Sequence, residues 1–301
     1  MNIDYEYLSR IRRAVALYTN RKTSNILEGD FHSIHKGRSM DFEDLKEYTP
    51  GDEVHDIDWK SSSRMGTVLV RRYMTDRRHN VMFVCDCKRQ MQGDTPAGEN
   101  KKELALMTFG TLSYIVGRNG ADFAMAHPNG NSSAISMFKS GPDHMEALLY
   151  EYEKSVCLDQ THTLNQTLKD VINNIHKRMI IFLITDLEGL ASVDPNLVRA
   201  VTQNHDLIAI ALEDAGITGE NVFDLELNRY ERFFFSHNKK LKELEEKFKA
   251  EAIGNINEVC KQCRVSVTSI KKESEIIDNA IILLERYRHG NYGYIASSTR
   301  L

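Results

Sequence analysis

Apolar and polar positions change rhythm near residue 80. Upstream, Tyr7, Leu8, Ile11, Ala14, Val15 and Tyr18 recur at helical spacing, which predicts an amphipathic helix over residues 4–18. Residues 29–79 follow, dense in charge and without a sustained helical or strand period. From residue 80 onward, short apolar runs alternate with amphipathic stretches. VMFVCD (81–86) reads as a buried strand, and residues 101–117 as a helix with Leu104, Met107, Thr108, Leu112 and Ile115 inward. ADFAMAH (121–127) and AISMF (134–138) read as strands joined at Pro128-Asn129-Gly130, a hairpin signal. Two helices are expected over 142–154 and 163–177, then a strand at MIIFLITD (179–186), a helix near 194–204 and a strand at DLIAIAL (206–212). A second hairpin over 221–236, a long helix over 239–263, a strand at SVTSI (266–270) and a helix over 275–288 complete the pattern.

Strands of four to seven apolar residues separated by helices imply an α/β fold, a mostly parallel sheet with helices on both faces. In such sheets ligands sit at the carboxyl ends of strands. Two strands here end on aspartates, Asp86 and Asp186, each followed by a polar loop, so both carboxylates are candidates to face one crevice.

Composition narrows the picture. The chain has 301 residues, enough for one large or two ordinary domains, with 41% hydrophobic and 27% charged residues, as in a folded soluble protein. A net charge of −4 argues against general nucleic-acid binding, which rests on phosphate neutralisation. No apolar run approaches the length needed to cross a bilayer. The N-terminus lacks the uninterrupted apolar core of a signal peptide, so a cytoplasmic location is expected. Five cysteines, an odd number, suit a reducing compartment.

The segment from Gly37 to Arg64 carries the most specific pattern. Gly37, Ser39, Asp41, Phe42, Asp44, Lys46, Tyr48, Pro50, Gly51, Asp52, His55, Ile57, Asp58, Trp59, Ser62 and Arg64 resemble the signature of the bacterial domain-of-unknown-function family fifty-eight. His55 stands where that family has an arginine. The resemblance implies a von Willebrand factor A-like domain (Rossmann-like) preceded by an irregular N-terminal segment, and no established catalytic activity. Members look like partners of MoxR-type AAA+ ATPases, which are thought to act in chaperone-like assembly or remodelling. The expected organisation is an N-terminal helix and signature segment over 1–79, the von Willebrand A-like domain over 80–290, and a C-terminal tail over 291–301.

The resemblance also implies a metal-ion-dependent adhesion site: Asp-x-Ser-x-Ser after the first strand, a middle threonine, and an aspartate after a later strand. Carboxylates, hydroxyls and waters supply the octahedral oxygen set that Mg²⁺ demands. Here Asp86 and Asp186 match the aspartates, while Lys88 and Gln90 stand where the serines belong. Thr161 and Thr163 are both candidates for the threonine. A degenerate site is therefore expected, without a metal unless Asp86 and Asp186 hold Mg²⁺. Two readings of Lys88 stay open: its ammonium replaces the metal between Asp86 and Asp186, or it faces solvent while Asp86 caps the following turn.

Other features have plainer readings. Cys260 and Cys263 form C-x-x-C at the end of a helical stripe through Leu241, Leu244, Phe248, Ala252, Ile256, Val259 and Cys263, and read as core cysteines. His32 and His35 lie just before the signature, and His55, among Asp52, Asp56 and Asp58, reads as a surface histidine with a titrating switch as its alternative. There is no G-x-x-x-x-G-K-[ST] phosphate loop. Arg71, Arg72, Arg77 and Arg78 are expected to pair with the acidic run Asp41, Glu43, Asp44, Glu47 and Asp52, within the chain or on a partner surface, and Trp59 to be a buried anchor, with an interaction hot spot as its alternative. The functional expectation is a non-enzymatic adaptor that binds a MoxR-type AAA+ ATPase and a client protein. A metal-dependent hydrolase acting through Asp86 and Asp186 is the alternative.

Overall fold

The computed structural model describes residues 40–50, 52, 54–75, 80–118, 120–156, 161–218, 221–224, 229–232 and 238–295. The helix expected over 4–18, and Gly37, Ser39, His32, His35, Gly51, Arg77 and Arg78, lie outside them.

The signature segment is more regular than its sequence implies. Strands β1 (Met40–Glu47) and β2 (Leu69–Thr75) pair antiparallel. Between them lie a 3-10 turn (Val54–Asp56) and helix α1 (Trp59–Met65). A register shift between Phe42 and Asp44 interrupts the alternation of β1, which hides the strand from a period-two reading. Asp58 caps α1, accepting from the Lys60 and Ser61 N–H groups at 3.1 and 3.0 Å. Its other oxygen accepts from Arg71 Nε at 3.0 Å. Asp52 closes the preceding turn by accepting from Thr49 N–H and hydroxyl at 2.9 and 2.8 Å, and from Lys46 Nζ at 2.6 Å. Arg71 thus pairs with Asp58, and Asp52 with Lys46. Trp59 is 66% exposed, so it is not the buried anchor its composition suggested. It follows the cap directly, and Asp58 already fixes the start of the helix.

The second unit is a six-stranded sheet in the order β10-β7-β6-β3-β4-β5. Its strands are β3 (Asn80–Cys85), β4 (Asp122–Asn129), β5 (Ser132–Ile135), β6 (Ile180–Asp186), β7 (Asp206–Leu212) and β10 (Ser266–Ile270). All neighbours run parallel except β4 and β5, an antiparallel hairpin that turns at Gly130 with φ +61°. The connecting helices are α2 (Lys101–Arg118), α3 (Pro142–Ser155), α4 (Leu164–Asn174), α5 (Leu187–Ala191), α6 (Pro195–Asn204), α7 (Lys239–Gln262) and α8 (Ile276–Arg288). A hairpin of β8 (Asn221–Asp224) and β9 (Arg229–Arg232) stands apart from the sheet.

Strand parity divides the core into two layers. Val81, Phe83, Phe182, Ile184, Ile208 and Ile210 pack with α2, α3 and α8 on one face. Met82, Val84, Ile181, Leu183, Leu207 and Ala209 pack with α4, α6 and α7 on the other. This is why the central strands read as unbroken apolar runs: each is covered on both sides.

Helix α7 departs from its predicted stripe. Ile253, Ile256 and Cys260 are buried, but Leu244 and Phe248, 47% and 61% exposed, are not. Only the C-terminal half of α7 lies against the sheet. Cys260 and Cys263 are buried free thiols, and burial pushes the Cys260 thiol up to about 12, so the pair is inert packing as expected. Beyond α8 the chain stays anchored through Ile295, which is buried and exchanges two hydrogen bonds with the Asn257 side chain at 3.0 and 2.7 Å.

Candidate functional site

Strand order reverses between β3 and β6. From β3 the chain adds β4 and β5 on one side, then crosses back to lay β6, β7 and β10 on the other. In doubly wound sheets the crevice beyond the strand ends at such a reversal is the usual ligand position. Asp86 and Asp186 follow or end the two strands that flank it. Both are buried.

Register explains their partners. Cys85 pairs with Ile184, so the next step sets Asp86 beside Thr185. The Asp86 N–H donates to Ile184 O at 2.9 Å, and Thr185 Oγ1 donates to Asp86 Oδ2 at 2.7 Å. Asp86 Oδ1 accepts the Lys88 N–H at 3.1 Å, and the Asp86 carbonyl accepts from Tyr152 at 2.8 Å. Burial raises the Asp86 carboxyl, and the charge of Asp186 adds to the rise; Lys88 and the Thr185 hydroxyl oppose it.

Asp186 shares strand parity with Phe182 and Ile184 and faces the α2 side of the sheet. It caps α5, with Oδ1 accepting from Gly189 N–H at 2.7 Å. Its Oδ2 accepts from Lys101 Nζ at 2.9 Å. Lys101 is the first residue of α2, and its N–H is tied to Gly93 O at 2.9 Å. Its ammonium also bonds Asp214, whose side chain reaches the rim at 37% exposure. Burial pulls the Lys101 ammonium down, but Asp186 and Asp214 outweigh it and hold the group above its ordinary value. The Asp214 carboxyl is raised, chiefly by burial.

Gly189 lets these groups converge. A Cβ there would stand 2.0 Å from Thr185 Oγ1, 2.7 Å from Asp86 Oδ2 and 3.1 Å from Asp186 Oδ1. One strand further, the buried Glu213 is held by Lys249 at 3.0 Å, Lys271 at 3.5 Å and the Ser269 hydroxyl at 2.9 Å.

The structure therefore brings Asp86 and Asp186 together. Lys88 and Gln90 sit at the start of a 3-10 turn (Arg89–Gln92) and are half-buried. Lys88 meets Asp86 through its backbone N–H and its charge acts on the Asp86 carboxyl, while the ammonium on Asp186 belongs to Lys101. Thr161 bonds Gly130 and Asn131 at the β4–β5 turn. Thr163 forms a capping box with Gln166 at the start of α4. The threonine on Asp86 is Thr185. Lys101 and Asp214 were missed because Lys101 reads as an ordinary solvated charge opening a helix. The one available signal was that the helix behind it is apolar almost all round.

The donor set bears directly on the divalent cation that the resemblance implies. Each oxygen of both carboxylates already accepts a hydrogen bond, and an ammonium lies against Asp186. Hydroxyls are lacking at positions 88 and 90. As folded, these residues do not fit a divalent cation. Among the described residues no group of three or more His, Cys, Asp or Glu is arranged to hold a metal.

Fold and site together define an α/β domain, helices on both faces of a mostly parallel sheet, with a closed polar cluster at the strand reversal. The chain belongs to the family described as protein of unknown function DUF58, which it matches over residues 44–216. Among curated relatives, uncharacterized proteins of Mycobacterium bovis and Mycobacterium tuberculosis are 24% identical over 148 residues, covering 49% of this chain. The chain spans 46% of the length of each. Similar solved structures include the conserved hypothetical protein BatB from Bacteroides thetaiotaomicron, with TM-score 0.44, 11% identity and coverage of 70% of this chain and 99% of that one. Another is a von Willebrand factor type A protein from Catenulispora acidiphila, with TM-score 0.38, 9% identity and coverage of 75% of this chain and 45% of that one. No helix among the described residues is long and apolar enough to cross a membrane.

Proposed function

We propose that this protein is a non-enzymatic adaptor whose signature unit docks a MoxR-type AAA+ ATPase, leaving other surfaces for a client protein. The observation that carries the reading is a set of exposed apolar side chains on a backbone fixed by its own polar network. Trp59, Met65, Val54, Val68 and Tyr48 are all exposed on the β1–β2 unit. Asp52 and Asp58 meanwhile hold its turn and helix cap. A rigid platform presenting an exposed tryptophan is the arrangement of an interaction hot spot. The buried carboxylates at the strand reversal, each oxygen already accepting a hydrogen bond from within the chain, favour a structural or recognition role over hydrolysis.

The test is binding of the purified full chain to a MoxR-type ATPase from the same genome. Wild type should bind, and Trp59→Ala should bind at least tenfold more weakly with an unchanged melting temperature. Absence of binding by wild type sinks the reading. So does metal-dependent hydrolase turnover that is lost in Asp86→Ala.

A further inference from the structure

We infer that the Lys101 ammonium, held between Asp186 and Asp214, is the resident cation of the strand-reversal site, so that this site works without metal. Buried carboxylates need a counter-charge, because removal from water is costly for each of them. Lys101 supplies it within the chain: it is buried, and its Nζ contacts both Asp186 and Asp214.

Its position is otherwise unfavourable. A lysine in the first turn of a helix faces the positive end of the helix dipole, and burying it adds a desolvation cost. Local preference alone would put an acid or a neutral cap there. Bonds to two carboxylates from separate strand ends offset both costs.

The same device recurs one strand away, where Lys249 and Lys271 flank the buried Glu213. The acidic edge of this sheet is thus neutralised by the chain's own lysines. An ammonium has donors only and no open coordination position. A partner's carboxylate therefore has no metal to complete here, and contact with this edge runs through the rim groups, Asp214 among them.

This inference deepens the adaptor reading but is measured without a partner, so either can fail alone. Melting temperatures of the full chain are compared in EDTA, in millimolar Mn²⁺ and in NaCl of matched ionic strength. Wild type should melt at one temperature in all three. Lys101→Ala should melt several degrees lower, and Mn²⁺, but not Na⁺, should restore part of the loss. A folded Lys101→Ala that melts like wild type, or that Mn²⁺ does not restore, overturns the inference. Should that variant fail to fold, the electron paramagnetic resonance signal of free Mn²⁺ titrated with wild type decides. An undiminished signal supports the internal cation, and stoichiometric loss of signal that Asp186→Asn abolishes overturns it.

Discussion

Lys101 Nζ lies 2.9 Å from Asp186 Oδ2, joining the first turn of one helix to the end of a strand 85 positions further along the chain. Both side chains are almost wholly buried, so the pair is poorly screened by solvent. Replacing Lys101 by the similarly shaped Met strands the Asp186 charge and should destabilise the fold by about 3–5 kcal/mol. Lys101→Met combined with Asp186→Asn should cost less than the sum of the two single changes. Chemical denaturation of the four proteins in a double-mutant cycle measures the coupling, and additive single effects would refute it.

Thr185 gives Asp86 Oδ2 its hydrogen bond. Thr185→Val keeps the side-chain shape and removes the donor, which should cost about 1–3 kcal/mol. Thr185→Ser should recover most of that loss in the same denaturation assay. A valine variant as stable as wild type would show that the bond has no net value.

Two glycines should respond in opposite directions. Gly189→Ala drives a methyl group into Thr185 and both aspartates, with a predicted loss of about 3 kcal/mol, the upper end of the overpacking range. Gly254 lies inside α7 with open space around it, so Gly254→Ala should stabilise by about 1 kcal/mol through helix propensity. Paired thermal melts check the contrast.

Asp52 should titrate abnormally. The bond from Lys46, then those from the Thr49 N–H and hydroxyl, hold its carboxyl down at about 2 against an ordinary 3.8. A depressed folded value means stabilisation that is fully present above 3.8 and lost as pH falls through about 2. Carboxyl carbon chemical shifts followed by NMR should place the midpoint there, and Lys46→Ala should move it back toward 3.8. A midpoint near 3.8 in wild type would contradict the turn geometry.

The central sheet was readable from sequence because strands buried on both faces leave continuous apolar runs such as Ile180 to Ile184. The β1–β2 hairpin was not, since its register shift between Phe42 and Asp44 breaks the alternation. Asp86 and Asp186 were legible as strand-end carboxylates, because loop chemistry follows strand ends in chain order. Their partners were not. Lys101 reaches Asp186 through the tertiary packing of α2 across the sheet, and a lysine opening a helix looks the same in sequence whether it faces water or a buried acid. Thr185 was hidden in plain view, counted as a strand residue although its hydroxyl serves the neighbouring strand. Trp59 misled through the general rule that large aromatics anchor cores; a helix already capped by Asp58 needs no such anchor.

Asn257 uses its side-chain amide as a strand would use its backbone, giving one hydrogen bond to Ile295 and receiving one from it. Gly293, at φ +67° and tight against the Asn257 carbonyl, lets the chain approach closely enough. Residues 291–295 are thus a latch on α7, and the folded unit extends at least to Ile295. A protein trimmed after Gly290 would uncover an apolar seam along that helix, whereas a reporter or affinity tag joined beyond Ile295 would leave the latch shut.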